Sequence, residues 1–126
     1  MRPETLEVIK GGNAQKGDVL GVARIAAIQA SKRASELIPL CHPVPISKVA
    51  AAFEIDEIKC CVSIAVTAEA TGRTGVEMEA LTATSIGLLT IYDMCKSIDR
   101  EMTIGSIQLL EKYGGKSGHF RRRVGP

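Results

Sequence analysis

Ionisable side chains gather at the two ends of one stretch of this chain. It opens Gly75-Val76-Glu77-Met78-Glu79, closes Tyr92-Asp93-Met94-Cys95-Lys96, and carries no charge from Ala80 to Ile91. Carboxylates and ammonium groups of this kind do general acid–base work when their surroundings tune them. They also have ordinary uses. Glu77 and Glu79 near a helix start answer its dipole, and Asp93 with Lys96, one turn on, makes a common solvated ion pair. The uncharged middle argues for more, since it predicts a helix buried for most of its length. Charges at the ends of such a helix sit at the rims of the core, where clefts form.

Two further segments carry candidate chemistry. Lys16-Gly17-Asp18 lies where a loop becomes a helix, a natural place for an anion. His42 stands in Leu37-Ile38-Pro39-Leu40-Cys41-His42-Pro43, where the prolines restrict the backbone and fix the direction of the imidazole. Cys41 beside it invites a thiol nucleophile, although adjacency in sequence is poor support for one. Arg24, Lys32, Lys48, Arg73 and Lys116 are further cations able to hold an anionic ligand. Gly114-Gly115-Lys116-Ser117-Gly118 is no Walker loop: that motif needs glycine where Leu110 stands, and a helix after it. A glycine-rich phosphate contact and a plain turn both remain open for it.

These residues must be positioned by a short series of elements. Pro3 to Lys10 reads as a helix with proline in its first turn, ended by Gly11-Gly12-Asn13. Asp18 to Ile38 reads as a long helix capped by Asp18. Its stripe Ala23, Ala26, Ala27, Ala30 and Ala34 suits close packing. Period-two alternation through Val49–Ile55 and Cys60–Val66, with a polar turn at Asp56-Glu57, predicts an antiparallel hairpin. The loop Thr71–Gly75 leads to a second long helix, Val76 to Ile98. A last strand, Thr103 to Leu110, precedes the glycine loop and a basic tail over 119–126. Helix, strand, strand, helix, strand is the split β-α-β pattern of ferredoxin-like α+β folds lacking its first strand. Its open sheet face and edge suit an oligomer.

Helix length adds a constraint. Glu79 and Asp93 are fourteen residues apart, about 21 Å at 1.5 Å per residue. Both ends therefore serve one ligand only if the ligand is long or a neighbouring subunit brings them together.

Composition narrows the class. The 126 residues, 45% hydrophobic, make a single domain that needs no metal or disulfide staple. No apolar run approaches the roughly 18 residues of a membrane span, and no signal peptide opens the chain, so a cytoplasmic protein is expected. Formal charge is +2, but Arg121, Arg122 and Arg123 supply three of the sixteen cations, leaving thirteen against fourteen acids. With only Phe53, Tyr92, Tyr113 and Phe120 as aromatics, stacking platforms are scarce and nucleic acid is not an expected partner. The cysteines, Cys41, Cys60, Cys61 and Cys95, form no CxxC, and His42 and His119 are the only imidazoles. Reduced thiols, no metal site and no cofactor are expected.

Taken together, the segments resemble one family. Lys16-Gly17-Asp18-Val19, Ala23–Ala30, LIPLCHP (Leu37–Pro43), TGVEMEALTA (Thr74–Ala83), LTIYDMCK (Leu89–Lys96) and GGKSG (Gly114–Gly118) are similar to blocks of the molybdenum cofactor biosynthesis protein C family, the cyclic pyranopterin monophosphate synthases. The resemblance runs from Met1 to Gly118. It implies conversion of 3',8-cyclo-7,8-dihydro-GTP to cyclic pyranopterin monophosphate with release of pyrophosphate. It further implies catalytic roles for Asp93, Lys96 and Lys16, and substrate binding by Leu40, Cys41, His42, Glu77, Met78, Glu79 and Lys116. A lysine pKa brought toward working pH by low-dielectric surroundings would suit Lys96. The family is ferredoxin-like and assembles as a hexamer built from dimers, with the site at a subunit interface. Its members usually carry an earlier strand with an aspartate near the site, a segment lying before the match to Met1. His119, where aspartate commonly stands, and Arg121–Arg123 depart from the family pattern. The alternative of another class is a ferredoxin-like oligomeric module that binds a nucleotide without turning it over.

Overall fold

The computed structural model describes residues 1–72, 74–115 and 118–123. Pro3 opens helix α1 (Pro3–Gly11), and Gly12 ends it in the left-handed region at φ 69°, where the Gly12 and Asn13 amides return to the Ile9 and Val8 carbonyls. Asp18 caps α2 (Val19–Ser31) by accepting the Gly21 amide at 3.1 Å. The single long helix expected over Asp18–Ile38 is interrupted. The Lys32 and Arg33 amides bond three residues back, to Gln29 and Ala30, and the Ser31 hydroxyl takes the Ile28 carbonyl at 2.6 Å. This tightened turn redirects the chain into the short helix α3 (Ala34–Leu37), which keeps Ala34 buried.

Strands β1 (Ile46–Asp56) and β2 (Cys61–Ala70) form the expected antiparallel hairpin, with Ala51 opposite Val66 and Phe53 opposite Ile64. Its turn is closed by the Lys59 amide on the Asp56 carboxylate at 2.9 Å. Cys60 was expected to alternate within the second strand; at φ 54° it lies in the turn, and pairing starts one residue later.

Helix α4 (Glu77–Cys95) and α2 pack together on one face of this hairpin. The alanine stripe is what permits it: Ala23 and Ala27 are fully buried, and a Cβ at Gly87 would stand 3.5 Å from that of Ala27. Ile9, Val19, Ala23, Ile91, Met94 and Cys95 make the main core cluster, with Phe53, Val62 and Leu88 against it. Among the described residues α4 is buried where it meets α2 and the hairpin, and Leu89 and Asp93 are its exposed positions. Leu89, in its uncharged middle, is 52% exposed, so this chain alone does not bury the helix all round.

Thr103–Leu110 is not a strand. Ser106, after Gly105, sits at φ 57° and breaks the extended run, and the main sheet holds only β1 and β2 among the described residues. Pairing resumes later, between β3 (Glu111–Lys112) and β4 (Phe120–Arg121). The basic tail is partly built in: Arg122 donates its amide to the Leu110 carbonyl at 2.7 Å and its guanidinium to the Leu109 carbonyl at 2.8 Å. The protein is thus α+β, with helices and antiparallel strands. No helix among the described residues is long and apolar enough to cross a membrane.

Candidate active site

The loop between α1 and α2 carries Lys16 to the far end of α4. Its ammonium lies 3.3 Å from Asp93 Oδ2 and 3.4 Å from the Asp93 carbonyl, while Lys96 Nζ lies 2.8 Å from Asp93 Oδ1. Gly17, at φ 109°, supplies the turn that brings Lys16 there. Lys16 thus joins Lys96 on a carboxylate 77 positions away from it in sequence. All three side chains are about half exposed, so the cluster stands at an open rim.

The charges hold one another. Hydrogen bonds from Lys96 and then Lys16 keep the Asp93 carboxyl below its usual range, and Asp93 in turn pushes the Lys96 ammonium up. The expectation that low-dielectric surroundings would bring the lysine toward working pH is therefore overturned. At an open rim water still solvates the ammonium, and the carboxylate's hydrogen bond outweighs desolvation. At rest the cluster is two ammonium groups on one carboxylate, a net positive grip for an anion and a store of protons.

At the opposite end of α4, Glu79 is buried in the first turn, 4% exposed. The Cys41 Sγ stands 3.9 Å from Glu79 Oε2 and donates to it. Partial burial, and then the neighbouring Glu79 charge, push the Cys41 thiol up, so it rests protonated and is no ready nucleophile. Glu77 meets Lys112 of β3 at 2.7 Å, and that hydrogen bond holds the Glu77 carboxyl down. A Cβ on Gly75 would overlap Glu77 Oε1 and stand 2.9 Å from Lys112 Cε, so a side chain there would push this pair aside. Met78 is half-buried, Leu40 is 92% exposed and His42 is exposed. Lys116 and Arg73 lie outside the described residues.

Lys112 is the residue that sequence reasoning missed. It stood unmarked between a predicted strand and a glycine loop, and only the β3–β4 pairing aims it at the start of α4. Arg24, read as a possible anion contact, is instead committed to the sheet: it donates to the Ala51 carbonyl at 3.1 Å and lies over the Phe53 ring at 5.5 Å.

Because α4 is one continuous helix, its two charged ends stay apart within the chain. A cleft of about 390 Å³ between β2, α4 and the 102–106 segment is lined by Met1, Leu88, Ile91, Met102 and Ile104 among others, and by none of the clustered ionisable groups. No three His, Cys, Asp or Glu side chains among the described residues gather as metal ligands.

An α+β domain with a two-lysine, one-carboxylate cluster at one helix end and a buried glutamate at the other suits an enzyme of small anionic molecules. The chain belongs to the MoaC family, whose family model matches residues 1–115 of the 126. Membership places the protein in molybdenum cofactor biosynthesis and implies a small-molecule substrate.

Proposed function

We propose that the protein is a cytoplasmic lyase, a cyclic pyranopterin monophosphate synthase that rearranges cyclised dihydro-GTP and releases pyrophosphate. The observation that carries this reading is the meeting of Lys16 and Lys96 on Asp93. Closing a cyclic phosphate at the α-phosphorus expels pyrophosphate, and negative charge grows on the departing oxygens. Two ammonium groups at fixed positions stabilise that charge and can protonate it. Asp93, ionised at rest, orients both lysines. A triphosphate competes with Asp93 for them, and the proton relay at the ring atoms runs through whichever group it frees.

In this reading Leu40, Cys41, His42, Glu77, Met78, Glu79 and Lys116 bind substrate. Glu79, buried and partnered only by a weak thiol donor among the described residues, is suited to accept N–H groups from a heterocycle. The two ends of α4 act on one substrate across a subunit interface, in a ferredoxin-like hexamer built from dimers. Supporting this assembly, Leu89, Ile104, Ile107 and Leu110 are exposed apolar side chains.

Incubation with cyclised dihydro-GTP and assay of pyrophosphate and pyranopterin tests the reading. Lys96→Ala and Asp93→Ala are each expected to abolish product while assembly is retained. Product at the wild-type rate from either variant would refute the role of that residue. Binding without pyrophosphate release by the wild-type protein would favour the non-catalytic module.

A further inference from the structure

Asp99, four residues beyond α4, is used by nothing in the mechanism above, yet it is only 3% exposed. Its Oδ2 accepts the Arg2 amide and the Thr5 hydroxyl, each at 2.9 Å. Its Oδ1 accepts the Glu101 amide at 3.3 Å and lies 3.9 Å from the Arg2 guanidinium. Arg2 is the residue that caps α1, and it offers no side-chain cap of its own. The carboxylate is therefore supplied to the start of α1 from 97 positions away, on the turn that leaves α4. The other polar ties of this segment, Met1 ammonium to the Cys60 carbonyl and Lys10 to Glu57, go to the hairpin turn and not to α4.

α1 is a rigid strut of nine residues, about 13 Å long. Fastening one end of it beside the last turn of α4 fixes where its other end delivers the Lys16 loop. We infer that Asp99 is a positioning residue: its buried bonds to Arg2 and Thr5 hold α1 in the place from which Lys16 reaches Asp93. An amide is no equivalent: with its oxygen toward the Arg2 amide and Thr5 hydroxyl, Asn turns its NH2 against two donors, the Glu101 amide and the Arg2 guanidinium, and loses the charge. The significance for turnover rests on the synthase reading; the positioning itself does not.

The test is the titration of the Asp93 carboxyl, followed by NMR in the full-length protein, with turnover measured in parallel. Lys16 is one of the two cations that hold this carboxyl down, so Lys16→Ala must raise its midpoint. Asp99→Asn is expected to raise it in the same direction, and Lys16→Ala added to Asp99→Asn is expected to raise it no further. Thr5→Val removes one bond from the other side of the clamp and should act alike, deciding the matter should Asp99→Asn fail to fold. Lys10→Ala, which breaks the tie to the hairpin turn and an exposed pair with Glu7 inside α1 but no bond to the α4 side, should leave the midpoint unmoved. In the synthase assay Asp99→Asn should lower kcat/KM about ten- to a hundredfold, as a misplaced group does. A merely structural Asp99 would lower Tm and leave the Asp93 midpoint where it is in the folded variant, and that result overturns the inference. A raised midpoint with unchanged turnover would uphold the positioning and refute the catalytic role of Lys16.

Discussion

Removing the Lys112 ammonium should loosen the start of α4 by an amount that depends on pH in a stated direction. The pair with Glu77 is short, at 2.7 Å, and its side chains are 19% and 29% exposed. A hydrogen bond between charged groups contributes about 1.5–3 kcal/mol when well enclosed. Partial exposure screens this, and the α4 dipole still favours the carboxylate left behind, so Lys112→Met is expected to cost about 1 kcal/mol near neutral pH. The folded Glu77 carboxyl lies below its ordinary value of 4.5 because Lys112 holds its ionised form. The pair's contribution is therefore complete above that value, and it is lost as pH falls through the lower folded value. Urea unfolding of wild type and Lys112→Met, at one protein concentration, should show a gap near neutral pH that closes in acid. Glu77→Gln should produce a similar loss, and the double variant less than the sum of the two. A gap that persists unchanged in acid, or losses that simply add, would show that Lys112 acts through its aliphatic stem and would refute the ion-pair account.

Two further outcomes are expected. Cys41, its thiol pushed up by partial burial and by Glu79, should react with iodoacetamide more slowly than an unperturbed cysteine at mildly alkaline pH, and Glu79→Gln should speed it severalfold; equal rates would contradict the pairing. Leu110→Asp, at a 58% exposed apolar position, should shift the sedimentation profile toward smaller species with the monomer's helix content retained, and an unchanged profile would remove this segment from the interface.

How far the sequence could be read depended on the range of the forces involved. Pro3, Asp18 and the alternation around Phe53 and Ile64 act on immediate neighbours or on one face, and the helices and hairpin lie where they point. The break at Lys32–Arg33 was hidden, because a tightened turn still carries helical composition on both sides. Thr103–Leu110 has strand composition but no paired strand among the described residues, and a strand exists only where a second one lies beside it. At the site, Asp93 and Lys96 are one helical turn apart and were legible together. Lys112 was not, since nothing local distinguishes a lysine that a later pairing turns toward Glu77.

The sequence by itself determined the family, the charged ends of α4 and their separation, because motif order and helix rise are properties of the chain alone. Tertiary structure decided which charges touch. It set Lys16 on Asp93, Cys41 on Glu79 and Asp99 under α1, and with them the directions in which the Asp93, Cys41 and Asp99 pKa values move. Ionisation depends on distances of a few ångströms between segments far apart in sequence, and only the packing of α1, α2 and α4 fixes those distances.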